Sequence, residues 1–373
     1  MQESISPMRL LESQNRYPDC LSMELKAIPL QSNLTDTGQV DLYLTVSFNE
    51  QWIDLLNGRV KFGLKGGELE LGLENGEMAA IYDLDDSKFR VVAKGSKANP
   101  AWFLLLKTSD PVLKGSLKQA KLGTVNLREN SSLTATFVVS PPDIYLTDTE
   151  GLWRHDITPN KHGVLERKLA NFLQETQLQP YVSRVQLGTK DLESGHSSLE
   201  RAEVDRETIC QAPSQLEAII QRIYEADTND FHELAKLADL NPMTDFAGGN
   251  LLATELSGVE FGGADLYRIN LRGAVLTDAD FSEANLSYAK LSGADLSGAY
   301  LGNANLNHAD LHRASLALAN LIGADLSAAD LREVNFSNAN LSGAKVSQAQ
   351  FGNNPGLTEE TMLSLKQRGA IFE

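Results

Sequence analysis

The 373-residue sequence is poor in the residues that build disulfide scaffolds, metal clusters and membrane spans. Its two cysteines, Cys20 and Cys210, are too few for a disulfide framework and too far apart to suggest a metal pair. The longest purely apolar run, residues 101–106, is far shorter than a transmembrane helix. The first residues lack the basic start and apolar run of a signal peptide. These absences predict a cytoplasmic protein.

Bases are also scarce, because 33 Lys and Arg face 50 Asp and Glu and the net charge is −17. Such an excess of acids disfavours nucleic acids and anionic membranes as partners. The excess is spread along the chain: residues 1–213 hold 29 acids and 23 bases, and residues 244–355 hold 12 and 6. We therefore expect a protein partner, with no binding to nucleic acid or membrane.

Motifs for catalysis or cofactor binding are absent from the sequence. The glycines Gly63, Gly66 and Gly67 do not form a phosphate-binding loop. His308 and His312 lie four residues apart, a metal-binding spacing only on a helix, and we expect them on a solvated surface. The sequence therefore predicts a non-enzymatic protein with no cofactor, no metal and no catalytic residue.

The clearest positive feature is an apolar residue at every fifth position from Phe246 to Phe351, 22 positions in all. Two residues before each lies a small residue, and 16 of the 18 such positions from Ala264 to Ala349 are alanine. The exceptions are Ile269 and Val334. A period of five fits neither an α-helix nor a flat strand, so it indicates a structural repeat.

The stretch ADLSGAYLGNANLNHADLHRASLALANLIGADLSAADL resembles the pentapeptide-repeat family, whose pattern is A-(D/N)-L-x-x. The resemblance implies a right-handed quadrilateral β-helix over residues 244–355, with four pentapeptides in each coil. The central Leu or Phe and the preceding Ala then point inward, and the other three residues face water. At roughly 4.8 Å per coil, five and a half coils predict a rod about 26 Å long.

Helical caps are predicted at both ends of the repeat. Residues 214–243 hold two amphipathic segments that end at Asn241-Pro242. Residues 356–373 begin a helix with Thr358 as the N-cap and end it near Gly369. The tail NPGLTEETMLSLKQRGAIF is also similar to the last segment of many cyanobacterial pentapeptide proteins, which implies a cyanobacterial origin.

Residues 1–187 predict an antiparallel β-sandwich-like domain that ends in a helix over residues 160–174, so the whole chain is expected to be mostly β. Alternating apolar residues mark several short strands, and Lys65-Gly66-Gly67 predicts a hairpin turn between two of them. Trp52, Trp102 and Trp153 are expected to anchor the core. The polar residues 188–213 predict a flexible linker.

With four units per coil, the register assigns each residue of the repeat to one side of a square. Each side is centred on one apolar residue and on the residues that follow it at intervals of 20. The first, second, third and fourth sides start from Leu266, Leu271, Leu276 and Phe281. All bases of the repeat lie on the first two sides, together with six acids. The third and fourth sides carry acids only: Glu255, Glu260, Asp278, Asp280, Glu283 and Asp295.

The first side carries a candidate partner-binding column that contains Tyr267, Arg268, Tyr288 and His308 on successive coils. Tyr and Arg are enriched at binding hot spots, so we expect this column to contact a protein. Residues beside the column complete the candidate site: Arg272, His312 and Arg313. The simpler interpretation is that all seven are tolerated surface substitutions.

Three functions are compatible with the sequence. The first is a non-enzymatic protein–protein interaction scaffold or regulatory adaptor. The second is an acidic DNA mimic, because some pentapeptide proteins present a DNA-shaped rod to gyrase; the acidic third and fourth sides suit it, but the short rod and the bases on the other sides do not. The third is a ligand-binding or cryptic enzymatic N-terminal domain with the rod as a spacer.

Overall fold

The computed structural model describes residues 8–30, 38–86, 88–106, 110–154, 156–188 and 206–373. The chain divides into two compact units, one of Met1–Leu152 with Phe172–Pro213 and one of Trp153–Asn171 with Ser214–Glu373. Residues 153–171 thus group with the repeats and not with the strands that precede them. Among the described residues, no helix combines the length and the apolar character needed to cross a membrane.

In the described residues before the repeat, the β-strands and α-helices are eleven strands, a helix, a twelfth strand and two further helices. In chain order they are β1 (Arg9–Asn15), β2 (Leu21–Pro29), β3 (Gly38–Phe48), β4 (Gln51–Leu55), β5 (Gly58–Leu64), β6 (Gly66–Ile81), β7 (Leu84–Asp85), β8 (Phe89–Gly95), β9 (Pro100–Leu106), β10 (Gly115–Val138), β11 (Ile144–Glu150), α1 (Pro159–Leu173), β12 (Ser183–Gly188), α2 (Arg206–Glu225) and α3 (Phe231–Leu237). The last part of the repeat contains β13 (Gln350–Phe351), and α4 (Glu359–Gln367) and β14 (Ile371–Phe372) follow it. Residues 189–205 of the predicted linker lie outside the described residues, and α2 begins within its last part.

The first unit contains a nearly closed, barrel-like antiparallel sheet, which corrects the predicted sandwich. Its strand order is β1-β12-β10-β6-β9-β8-β7, and β2 joins it through β3. The long strand β10 pairs with β3 through residues 115–127 and with β12 through residues 132–137, while β6 occupies its other edge. Register shifts in these pairings increase twist and bending, which lets the large sheet curl.

The hairpin predicted at Lys65-Gly66-Gly67 is wrong. Strand β5 pairs with β4 and β11 in a separate three-stranded sheet, whereas β6 pairs with β9 and β10 in the large sheet. The Lys65 amide donates a hydrogen bond of 2.7 Å to the carbonyl of Asp143, so the chain crosses between sheets here. The change of apolar parity across Lys65 therefore marks a change of sheet and not a tight turn.

Only one of the three tryptophans is a core residue. Trp102 is fully buried, and its indole Nε1 donates a hydrogen bond of 3.0 Å to the carbonyl of Tyr82. Trp52 and Trp153 are half-buried, which corrects their predicted role. The Arg59 guanidinium lies 4.4 Å from the centre of a Trp52 ring, so this indole forms a cation–π contact at the surface.

A buried carboxylate on β3 predicts a pH dependence for the first unit. Burial would raise the pKa of Asp41, but hydrogen bonds of 2.7 Å from Lys121 and Thr124 outweigh it and hold the pKa below its ordinary value. The Asp41 carboxylate therefore binds a proton more readily in the unfolded chain than in the folded one. Its stabilising contribution is present above the pKa of the unfolded state and is lost as the pH falls through the pKa of the folded state. Between pH 7 and pH 3, the Tm of thermal unfolding should fall less for Asp41→Asn than for the unaltered protein. An equal loss in both proteins would contradict this assignment.

The repeat forms a β-helix with 20 residues in each coil. Its backbone bridges are parallel and join residues 20 apart, from Asn250 with Asn270 to Asp330 with Gln350. The backbone φ is positive at every fifth residue from Gly248 to Asn353, two residues after each central apolar residue. A turn with positive φ at its third residue is of type II, so each pentapeptide ends in a sharp corner.

The burial pattern of the β-helix confirms the inward and outward positions predicted from the sequence. The central residues and nearly all preceding alanines are buried, and the other three positions are mostly half-buried or exposed. The Asp or Asn before a central residue accepts a hydrogen bond from the backbone two residues later, as Asp280 does from Ser282 at 2.8 Å. These side chains therefore stabilise the turn, which explains the abundance of Asp and Asn without any catalytic role.

Helices flank the β-helix in the chain. Near its start, the Phe231 ring of α3 lies 4.8 Å from the Phe246 ring and 5.4 Å from the Phe261 ring. At its end, the Thr358 hydroxyl accepts a hydrogen bond of 3.1 Å from Thr361, as predicted for the N-cap of α4. The short strand β14 then pairs in parallel with β13, a pairing that the sequence did not predict.

Candidate partner-binding surface

The candidate column lies on one corner of the β-helix. Arg268, Tyr288 and His308 occupy the same position in three successive coils, because each is 20 residues from the next. Their amides donate hydrogen bonds of 2.9–3.0 Å to carbonyls of the following coil, so the backbone of each is held by its neighbour. The corner is therefore a rigid support for three side chains that project from it.

The rings of the column form a continuous ladder. The ring centres of Tyr288 and His308 are 4.8 Å apart, and the two planes differ by only 16°. The Tyr267 ring meets Tyr288 edge-on at 5.9 Å, and the Arg268 guanidinium lies 5.8 Å from the centre of the Tyr267 ring. The structure thus brings together these four of the seven predicted residues, and 39% of Tyr288 remains exposed.

The backbone conformation at this corner is costly for large side chains. The φ values of Arg268, Tyr288 and His308 are 59°, 60° and 59°, in the left-handed region. Gly and Asn adopt this region most easily and occupy half of the equivalent corners, such as Gly273 and Asn303, whereas other corners carry residues such as Glu283 and Gln348. The fold itself therefore does not require rings or a guanidinium here.

The three remaining candidates lie outside this ladder, and only two of them share a partner. The Arg313 guanidinium donates hydrogen bonds of 2.8 and 3.4 Å to the Glu333 carboxylate, and His312 Nε2 lies 3.8 Å from the same group. The hydrogen bond from Arg313 holds the pKa of Glu333 below its ordinary value. Arg272 donates instead to the Asn270 side chain at 3.2 Å. Because its guanidinium already has a carboxylate partner, Arg313 is a poorer anchor for a partner than Tyr288.

Sequence reasoning missed two features of this surface. Glu333 is 20 residues after Arg313, so the coil period alone contains the signal for their ion pair. Three exposed apolar side chains, Tyr300, Leu318 and Ile322, form a second cluster two sides away from the column. Leu318 occupies a corner with positive φ, and its apolar character at that position is the signal in the sequence.

The side chains of the column offer contacts for binding a partner. Stacked rings and a guanidinium offer flat apolar faces, cation–π contacts and hydrogen-bond donors. Within the described ranges, no group of three or more His, Cys, Asp and Glu side chains is arranged to hold a metal ion. His308 stacks on Tyr288 whereas His312 approaches Glu333, so the two histidines have separate surroundings.

Comparison with protein families gives a match that agrees with this geometry. The model of the family described as pentapeptide repeats matches in 8 copies, over residues 254–293, 279–317, 294–328 and 319–353. Residues 254–353 belong to the pentapeptide-repeat family. The N-terminal region before these pentapeptide repeats is unassigned. No curated protein matches the chain.

Solved pentapeptide-repeat proteins are similar to part of the chain. HetL, a protein involved in heterocyst differentiation regulation from the cyanobacterium Nostoc, is 33% identical over 29% of this chain and 54% of its own, with a TM-score of 0.21. The chain therefore spans about half the length of HetL. A pentapeptide-repeat protein of the Arabidopsis thaliana thylakoid lumen is 27% identical over 34% of this chain and 79% of its own, with a TM-score of 0.23. Rfr23 of the cyanobacterium Cyanothece is 30% identical over 28% of this chain and 90% of its own, with a TM-score of 0.19.

Proposed function

We propose that the protein is a non-enzymatic scaffold or regulatory adaptor and that a protein partner binds the column of Tyr267, Arg268, Tyr288 and His308. The observation that carries the proposal is the exposed stack of Tyr288 and His308 on corners with positive φ. The fold has no need of these side chains at such corners, so their presence is better explained by a contact outside the chain.

The column has the properties of a binding hot spot. Aromatic side chains and Arg supply most of the energy at protein interfaces, and a ring loses little conformational entropy because it has few rotatable bonds. The ladder of Tyr267, Tyr288 and His308 is already ordered by ring contacts before any partner arrives. Preorganisation of this kind lowers the free-energy cost of association.

Capture of a partner from the host tests the proposal. Asparagine fits the left-handed corner, as Asn303 and Asn338 do, so the double variant Arg268→Asn/Tyr288→Asn should keep the fold. We expect it to recover the partner at least about tenfold less well in a pull-down quantified by mass spectrometry, equivalent to ~1.4 kcal/mol. The matched control is Gly258→Asn, an exposed corner of the same β-helix two sides away where an added Cβ meets open space. Equal recovery by both variants would refute the proposed site.

A DNA mimic is the second candidate, and one observation favours it. No base among the described residues pairs with Asp278, Asp280, Glu283 or Asp295, so these carboxylates leave the third and fourth sides negative. A gyrase supercoiling assay separates the two functions. Inhibition of supercoiling at stoichiometric protein would favour the mimic, whereas normal supercoiling would favour the adaptor.

We also infer that the flanking segments close the ends of the β-helix, α3 at its start and the tail with α4 and β14 at its end. The contacts of Phe231 with Phe246 and Phe261 and the stacking of Phe372 on Phe351 at 5.0 Å support this inference. The end coils of a repeat protein lack a neighbour on one side, so a covering element keeps their apolar residues from water. Closed ends would leave the sides of the rod as its binding surfaces.

A further inference from the structure

A second cluster of exposed apolar side chains lies on the third and fourth sides of the β-helix. Tyr300, Leu318 and Ile322, here called the apolar corner patch, are 53%, 67% and 46% exposed. Asn320 bridges with Tyr300 of the neighbouring coil, and Leu318 and Ile322 lie two residues to either side of Asn320. Clustered exposed apolar side chains on an otherwise polar face mark an interaction site.

The β-helix does not explain this patch. Leu318 has a φ of 62°, a conformation that favours Gly or Asn, and the same corner carries Gly298 and Asn338 on the adjacent coils. Ile322 is flanked in the same way by Gly302 and Ser342, 20 residues before and after it. Leu318 therefore combines an unfavourable backbone conformation with large exposure to water, and neither benefits the fold.

The charges beside the patch indicate what could cover it. Asp278 lies two coils before Leu318 in the same corner column, and Asp280 bridges directly with Tyr300. Asp295 lies on the third side between them. None of these three carboxylates pairs with a base in the part of the chain that the structure describes. The face is thus apolar at one end and negative at the other.

We propose that the apolar corner patch binds a helix of a partner protein that is apolar at one end and carries Lys or Arg about two turns away. Two coils separate Leu318 from Asp278, a distance of roughly 10 Å. Two turns of an α-helix span about 11 Å, so apolar and basic side chains on one helix face match both features at once. A neutral or acidic helix would leave the carboxylates unpaired or repelled.

This second site is independent of the proposed column. Tyr288 and Leu318 lie on corners two sides apart, so a variant in one leaves the other unchanged. A failure of binding at the apolar corner patch therefore says nothing about capture through Tyr288, and the reverse also holds.

Peptide selection on the full chain tests the second site. A phage-displayed library of helical peptides of about 18 residues, or five turns, is selected on the unaltered protein and counter-selected on Leu318→Asn/Ile322→Ser. Both replacements are residues that the adjacent coils use in the same columns. We expect enriched peptides with two apolar residues on one face and Lys or Arg six to eight positions away. In fluorescence anisotropy, an enriched peptide should bind the double variant at least tenfold more weakly and Tyr288→Asn within twofold of the unaltered protein.

A second variant tests the contribution of the carboxylate charges to peptide binding. Asp278→Asn/Asp280→Asn should weaken peptide binding severalfold and reduce its dependence on salt, because these carboxylates supply the attraction. The proposal is overturned if no peptide is enriched, if the enriched peptides lack bases, or if Leu318→Asn/Ile322→Ser binds them as tightly as the unaltered protein does. It is also overturned if sedimentation velocity finds a dimer that Leu318→Asn dissociates, since the occupant would then be a second copy of the chain.

Discussion

Replacement of Leu306 by aspartate is expected to unfold the β-helix. Leu306 lies in a middle coil and is fully buried, and its amide donates a hydrogen bond of 2.7 Å to the carbonyl of Asp325 in the next coil. An ionised carboxylate in this apolar interior has no partner, and the loss of the side chain also leaves a cavity. We expect a loss of more than about 4 kcal/mol in the free energy of unfolding. Each coil depends on its neighbours, so the damage should spread along the rod.

Hydrogen–deuterium exchange over residues 244–355, together with thermal unfolding, measures this effect. The matched control is Asn307→Asp, which places the same charge one residue later at the half-buried position 307. The control should change the free energy of unfolding by less than about 0.5 kcal/mol. If Leu306→Asp melted within a few degrees of the control, the inward stacking of the central residues would be wrong.

Replacement of Asn160 by alanine is expected to release helix α1 from the repeat unit. The Asn160 amide Nδ2 donates to the carbonyls of Asn229 at 2.9 Å and Glu255 at 2.8 Å, and its Oδ1 accepts from the Glu255 amide at 3.0 Å. Asn160 is only 1% exposed, so alanine leaves buried backbone groups without partners. A loss of about 2–4 kcal/mol is expected from several such groups.

The readout for Asn160→Ala is the exchange rate of the Glu255 amide and of residues 159–171. Lys168→Ala is the control because Lys168 lies on the same helix and is half-buried. Faster exchange in both segments for Asn160→Ala alone would support the grouping of residues 153–171 with the repeats. Protection equal to that of the control would contradict it.

The β-helix could be predicted in detail because its period is encoded locally. Each pentapeptide repeats one turn, so the spacing of Leu266, Leu286 and Leu306 gives both the inward positions and the coil length. The ladder of Tyr288 and His308 followed from the same register. The period also contains the signal for the pairing of Arg313 with Glu333, because the two residues are one coil apart.

The first unit was less predictable because its strand pairing is non-local. Alternation locates strands but does not say which strands pair, so a hairpin and a crossing between sheets give the same pattern around Lys65, where β5 and β6 belong to different sheets. Helix α1 was predicted, but its three hydrogen bonds through Asn160 join residues 69 to 95 positions apart. Contacts at such separations leave no periodic trace in the sequence.

The most direct test of the proposed function is site-specific photo-cross-linking from the candidate column. A benzophenone amino acid at position 288 is compared with the same residue at position 258, another exposed corner of the β-helix with positive φ. The proposal predicts that the protein captured from the host cross-links to position 288 and not to position 258. Cross-linking from position 258 alone, or from neither position while the protein is still captured, would contradict a binding site on the column of Tyr288.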